Sequence, residues 1–209
     1  MYYREFNDDN EAEQWAWEYY SDLLNLNPES EQYKLIFSYT GSWYKVLNHL
    51  LRICPKIGSA DFDNINFGDY SEEKARILAL NDILISYSLP ESIVVYRFTH
   101  LSAIRSMTGK HFLREGLYFS DKAFVSTTLV KKDLELFRKE YNCNCVLKIY
   151  LPKDLSGAYV SFKTDKTRLN EQEFLLPPNI QMKIIKIHHF TWPVQIDCVA
   201  FPYERGISI

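Results

Sequence analysis

Residues 84–97 read Leu84-Ile85-Ser86-Tyr87-Ser88-Leu89-Pro90-Glu91-Ser92-Ile93-Val94-Val95-Tyr96-Arg97, and across them the hydrophobic period changes from 3.6 to 2. Ahead of Pro90 the stripe Ile77, Leu80, Leu84 and Tyr87 recurs at three- and four-residue steps, the spacing of one helical face. Ser71, with Glu72 and Glu73 in the first turn, opens that helix, because carboxylates favour the positive end of the helix dipole. Pro90 closes it. Behind the proline, Ile93 to Tyr96 is an unbroken run of β-branched and aromatic residues, the pattern of a buried strand.

Upstream of this stretch the chain reads as helices. Asn10 with Glu13 three residues later is a capping-box-like start, followed by Ala12, Ala16, Tyr19, Leu23 and Leu26. Asn27-Pro28 starts a second helix through Tyr33, Ile36 and Phe37, and a third runs from Ser42 to Cys54 and stops at Pro55. Downstream, strands are expected at 123–130, 145–151, 158–161, 173–176, 180–188 and 194–201, with short helices at 101–107 and 133–141. Helices first and strands afterwards is an α+β pattern, so residues 1–209 are expected to form one domain with a helical segment (1–90) and a β-rich core (91–209).

Composition narrows the function classes. With 46% hydrophobic and 24% charged residues the chain is an ordinary folding sequence rather than a disordered or fibrous one. Its 24 Lys+Arg against 27 Asp+Glu give a net charge of −3 without a basic run, which speaks against nucleic acid as a partner. No apolar stretch approaches the ~18 residues that span a bilayer, and no signal peptide is visible. Four cysteines without paired CxxC spacing read as buried thiols. Five histidines show neither HExxH nor zinc-like spacing, and the adjacent His188 and His189 would point to opposite faces of a strand, so no metal is expected. Seven glycines allow neither GxGxxG nor GxxxxGK[ST]; a nucleotide, if bound, must be held by side chains.

Four groups of residues carry candidate chemistry. Tyr44, Asn48 and Arg52, four apart on the third helix, form a polar row opposite Trp43, Leu47 and Leu51; it is either a solvated face or one wall of a site. Arg97 ends a buried strand, where an arginine makes a surface ion pair or clamps a phosphate bidentately. Ser126-Thr127-Thr128 sits within an apolar strand with Ser126 and Thr128 on one face, either satisfying local backbone groups or orienting a carboxylate on a neighbouring strand. Glu171-Gln172-Glu173 enters the apolar strand Phe174-Leu175-Leu176. At period 2 both glutamates share a face about 6.5–7 Å apart. Such a pair either guards a strand edge against aggregation or serves an oxocarbenium-like transition state, one carboxylate stabilising the sugar cation and the other handling the acceptor's proton.

In order and spacing these elements resemble the mono-ADP-ribosyltransferase toxins of the Arg, Ser-Thr-Ser, Glu-x-Glu class, most closely the enzymatic components of binary actin-modifying toxins and the Rho-modifying exoenzymes. The matching stretches are Tyr39-Thr40-Gly41 with Tyr44, Asn48, Leu51 and Arg52; Val95-Tyr96-Arg97; Phe124 to Leu129; and Gly157-Ala158-Tyr159 leading to Glu171 through Pro177. The resemblance implies an α+β ADP-ribosyltransferase fold, with two roughly perpendicular, mainly antiparallel sheets around an NAD cleft and the helical segment on one side. It implies NAD as substrate without a metal. Arg97 would hold the NAD phosphate or ribose and Arg52 with Asn48 the pyrophosphate, with Tyr44, Ser126 and Thr127 in the same binding set. Ser126 would hydrogen-bond Glu173, the catalytic glutamate that engages the ribose 2′-hydroxyl, while Glu171 would position an arginine acceptor. Phe137 and Arg138 match the aromatic and the arginine that the family places near the nicotinamide and phosphates.

The sequence departs from the family pattern at Thr128 in place of the last serine, at Phe98 in place of the glycine after the arginine, and at Arg168 where relatives place a target-contacting aromatic. At 209 residues, no second domain of the binary-toxin kind is expected. The resemblance implies a monomeric toxin or effector, secreted or delivered into a target-cell cytosol, that modifies a protein such as host actin or a small GTPase, with no membrane or nucleic-acid partner. Three other readings remain: within the resemblance, an NAD glycohydrolase or a catalytically dead binding domain of the same fold, and, on the residues alone, a glycosidase that uses the carboxylate pair.

Overall fold

The computed structural model describes residues 2–54, 70–133, 142–162 and 171–201. Its order is α1 (Asp9–Leu24), α2 (Glu31–Ser38), a π-helical turn (Tyr39–Trp43), α3 (Tyr44–Ile53), α4 (Ser71–Ser86), β1 (Ile93–Thr99), α5 (Leu101–Thr108), β2 (Tyr118–Ser120), β3 (Val125–Thr128), β4 (Cys145–Leu151), β5 (Ala158–Tyr159), β6 (Glu173–Leu176), β7 (Gln181–His188) and β8 (Val194–Phe201). The helices-then-strands order expected from the sequence is the observed one. The helix expected at 133–141 lies outside the described residues.

Helix starts differ from expectation where a better cap lies nearby. The Asp8 carboxylate accepts the Glu11 N–H at 3.0 Å, so α1 begins ahead of the Asn10 start. Ser30 accepts the Tyr33 N–H at 3.2 Å and caps α2, while Asn27 accepts the Glu29 N–H at 2.9 Å and makes Asn27-Pro28 a turn instead of a helix start. Between α2 and α3 the chain continues through the π-helical turn, a wider winding that single-period reading misses.

The strands join in the order β2-β7-β8-β4-β1-β3-β6-β5, antiparallel throughout except where β4 runs parallel to β8. β1 pairs with β4 from Ile93↔Leu151 to Thr99↔Cys145, whereas β1 and β3 meet at the single pair Tyr96↔Thr128. The described strands thus form one eight-stranded sheet where the resemblance implied two, and it divides into two blocks, β2-β7-β8-β4-β1 and β3-β6-β5, at that thin junction. Strand β2 escapes sequence reading because three residues between Gly116 and Asp121 are too short to show a period. The N-terminal segment clips onto β1: Arg4 N–H donates to the Ser92 carbonyl at 2.9 Å and Val94 N–H to the Arg4 carbonyl at 2.8 Å.

One hydrophobic core joins the helices to both blocks. Its aromatic centre is Phe174 of β6, whose ring lies 6.3 Å from Trp15 and 6.1 Å from Tyr20, both on α1. Because β6 alternates, burying Phe174 under α1 turns Glu173 to the opposite face. Gly157, just before β5, comes close to the same ring. A Cβ there would stand 2.7 Å from Phe174 Cε1 and 3.0 Å from Leu176 Cδ2, both of them packed side chains.

Gly157→Ala is therefore expected to overpack the β5–β6 contact and cost about 1–3 kcal/mol. A thermal melt should show a Tm lower by roughly 2–10 °C; an unchanged Tm would mean that β5 does not need this close approach.

Candidate active site

At the junction of the two blocks opens a cleft of about 400 Å³. The π-helical turn and the start of α3 supply Tyr39, Thr40, Gly41, Tyr44 and Asn48; β1 supplies Arg97; β3 supplies Ser126 and Thr128; and Glu171 and Glu173 close the far side. Residues 39 to 173 thus meet in one place although they stand on separate elements.

The acidic side is set by strand register. Cross-strand partners share a face, so Tyr96↔Thr128 and Thr128↔Glu173 form a row across β1, β3 and β6. The Thr127 hydroxyl donates to the Phe174 carbonyl at 2.6 Å and locks this register from the other face. Glu173 is buried, 7% exposed, and its N–H donates to Ser161 Oγ at 2.6 Å. Glu171 lies just before β6 and reaches the cleft by another route than the expected pleat. Gln172 adopts φ 44°, a left-handed conformation that costs a non-glycine residue about 1–2 kcal/mol. It is held there by burial, by the Tyr159 hydroxyl donating to its Oε1 at 2.8 Å, and by its carbonyl accepting the Leu129 N–H at 3.0 Å. The two glutamates share the cleft through a kink at Gln172, not through strand alternation.

The basic side is a chain of two arginines and one carboxylate. Arg97 Nη1 donates to the Ser126 carbonyl at 3.1 Å. Asp121 accepts bidentately from Arg52, at 3.1 Å from Nε and 2.7 Å from Nη2, and its Oδ2 lies 4.0 Å from Arg97 Nη2. These hydrogen bonds to Asp121 raise the Arg52 guanidinium above its ordinary pKa despite partial burial. Asn48 is buried, its Oδ1 accepting the Phe124 N–H at 3.2 Å and its Nδ2 meeting the Tyr39 hydroxyl at 3.1 Å. Burial, and after it the Glu173 charge, push the Tyr39 phenol up, so it stays protonated in the wall of the cleft.

Several expectations change. Tyr44, Asn48 and Arg52 are not one solvated row: Tyr44 lines the cleft, Asn48 lines it from a buried position with its amide tied to Phe124 N–H and the Tyr39 hydroxyl, and the half-exposed Arg52 turns its fork to Asp121. The expected hydrogen bond from Ser126 to Glu173 is not formed. Ser126 pairs with Leu175, two pairs along from Thr128↔Glu173, so Ser126 and Glu173 are diagonal neighbours on one face and line the same cleft without a hydrogen bond between them. Among the described residues the exposed Ser126 hydroxyl has no hydrogen-bond partner. Cys54, Cys145 and Cys198 are buried as expected, but Cys143 is half-buried and lines the cleft. Phe137, Arg138 and Arg168 lie outside the described residues. Sequence reading missed Asp121 and Cys143. Asp121 reads as a turn former between two apolar runs, and its one available signal is the demand of Arg52, on a helix with an otherwise buried face, for a carboxylate. Among the described residues no three His, Cys, Asp or Glu side chains are grouped to hold a metal, and no helix is long and apolar enough to cross a membrane.

Solved structures share this architecture. The chain superposes on C3stau2 from S. aureus, a structure determined with NAD, at a TM-score of 0.72 and 19% identity, covering 97% of this chain and 100% of that one. Plx2a, an ADP-ribosyltransferase toxin from Paenibacillus larvae, matches at a TM-score of 0.68 and 18% identity over 96% of this chain and 100% of that one. BECa, an ADP-ribosylating toxin of a binary enterotoxin of C. perfringens solved with NADH, matches at 0.71 and 24% identity over 96% of this chain and 50% of that one. At these identities the likeness shows the fold. No curated protein matches the chain in sequence. The sequence match that extends across both sides of the cleft is to the ADP-ribosyltransferase exoenzyme family, over residues 12–195. With that span including Arg52, Arg97, Ser126, Glu171 and Glu173, the chain belongs to the ADP-ribosyltransferase exoenzyme family.

Proposed function

We propose that the protein is a mono-ADP-ribosyltransferase that takes ADP-ribose from NAD, releases nicotinamide, and transfers the ADP-ribose to an arginine of a target protein. The observation that carries this reading is the meeting of Arg97 with Glu173 and Glu171 in one cleft of a chain that belongs to this family. The basic side suits the pyrophosphate, because a guanidinium fork grips two phosphate oxygens where no glycine-rich loop is present. The acidic side suits the ribose that becomes cationic. As the C1′–N bond breaks, its electron pair leaves with nicotinamide, and the Glu173 carboxylate stabilises the resulting oxocarbenium through the 2′-hydroxyl. An arginine nitrogen of the target then attacks C1′ and gives its proton to Glu171. A carboxylate at that place is chemically required, since guanidinium is protonated in water at neutral pH and is a poor nucleophile.

The buried setting of Glu173 supports the assignment of roles, since a charge in a cleft of low dielectric acts more strongly on a developing cation than one in water. Glu171 is more open to solvent, as a group that meets a protein substrate must be. We assign the same roles to Arg97 and Arg52 on the phosphate side, and place the site of action in the cytosol of a target cell, as for a toxin. No step in this chemistry needs a metal.

The two glutamates are separable. Glu173→Gln should reduce both nicotinamide release and protein labelling by at least about 10²–10³-fold, the loss typical of removing one preorganised transition-state contact. Glu171→Gln should leave NAD hydrolysis within a few-fold of wild type while arginine labelling collapses. Equal loss of both activities in Glu171→Gln would move the acceptor role elsewhere, and labelling at the wild-type rate by Glu173→Gln would remove Glu173 from the chemistry. Equal labelling by Glu171→Gln and wild type would replace arginine with another acceptor.

Arg97→Lys keeps the charge but loses the planar fork, so NAD affinity measured by calorimetry should fall by about 1.5–3 kcal/mol, the value of a charge-assisted hydrogen bond. Unchanged affinity in a variant with wild-type melting would remove Arg97 from the NAD site.

A further inference from the structure

Asp121 lies in the turn between β2 and β3, and its side chain is 11% exposed. Both carboxylate oxygens are engaged. Oδ1 accepts the Ala123 N–H at 3.0 Å and Arg52 Nε–H at 3.1 Å; Oδ2 accepts Arg52 Nη2–H at 2.7 Å and stands 4.0 Å from Arg97 Nη2. One oxygen thus lies between guanidinium groups of α3 and β1, which would otherwise repel each other. The bond to Ala123 N–H fixes the carboxylate to the backbone that leads into β3, so its position is that of the strand and not of a mobile side chain. The bidentate pair uses only the Nε/Nη2 edge of Arg52. Its Nη1 has no hydrogen-bond partner among the described residues, and the Arg52 side chain is 48% exposed.

We propose that Asp121 is a positioning residue for the phosphate end of the cleft: it fixes Arg52 beside Arg97 with one edge of the fork left for a phosphate of the dinucleotide. This rests on the NAD-binding reading above. Asp121 contributes no contact to the ligand itself. Its effect passes through Arg52, whose fork would otherwise sample several rotamers, and through the local charge balance beside Arg97. A simple clamp between α3 and the β2–β3 turn would use the same bonds but would affect stability without affecting NAD.

The test is a double-mutant cycle on the intact chain. NAD affinity is read by calorimetry and nicotinamide release by steady-state kinetics, for wild type, Asp121→Asn, Arg52→Ala and the double variant. Wild type that neither binds NAD nor releases nicotinamide overturns the NAD reading, a result distinct from any outcome below. Given wild-type binding, Asp121→Asn should raise Kd and KM about tenfold, the effect of one charge-assisted hydrogen bond, with kcat within about twofold. On the Arg52→Ala background the same substitution should change Kd by less than about twofold. An unchanged Kd in Asp121→Asn, or the same fold-loss with and without Arg52, overturns the proposal. Should Asp121→Asn melt below the assay temperature, Arg52→Lys at its exposed site carries the test: the same rise in KM at constant kcat is expected, and NAD affinity within twofold of wild type overturns the proposal.

Discussion

The geometry of the site hangs on the pairing of β3 with β6. Phe174 is drawn under α1 by Trp15 and Tyr20, and its carbonyl is held by the Thr127 hydroxyl. Those contacts leave Glu173 one orientation, into the cleft and opposite Thr128. A slip by one residue would turn the glutamate into the core and the phenylalanine into the cleft. The hydrophobic effect that buries one aromatic ring therefore places the carboxylate beside it, and the energy that holds the site is spent in the core rather than at the site itself.

Charge follows the same separation. The carboxylates stand on the β3-β6-β5 block and its approach, while Arg97 stands on β1 in the other block. The blocks meet at Tyr96↔Thr128, so each carries one sign of charge to a shared seam. A ligand with phosphates at one end and a ribose that becomes cationic at the other fits that polarity. The kink at Gln172 adds the second carboxylate: a left-handed residue, kept in place by Tyr159, brings Glu171 to the cleft where a continuing strand would have carried it along the sheet.

Much of this was legible in the sequence, and the parts that were not have physical reasons. The change of period at Pro90 separated helices from strands, and β4, β6 and β8 begin and end where alternation placed them, because long runs with a buried face carry their own signal. The three-residue β2 and the π-helical turn do not. Arg97, Glu171 and Glu173 were readable as charges set against apolar runs, and the structure brings them to one cleft. Alternation on one strand was enough to place Ser126 on the face that lines the cleft with Glu173, whereas a bond between the two depends on how two strands and two side chains meet. The row of Asn48 and Arg52 could be read as a solvated face or as a wall of a site because their partners, Phe124 N–H and Asp121, lie 76 and 69 residues away and leave no local trace. Asp121 was missed for the same reason.

The claim that the cleft performs ADP-ribosyl transfer to arginine is tested most directly by the product. The purified chain, incubated with a target-cell lysate and NAD labelled in the adenylate phosphate, should place label on protein, and mass spectrometry of the labelled peptide should find ADP-ribose on an arginine side chain. Nicotinamide release with no protein-bound label would make the protein an NAD glycohydrolase, and ADP-ribose on another side chain would contradict the role assigned to Glu171.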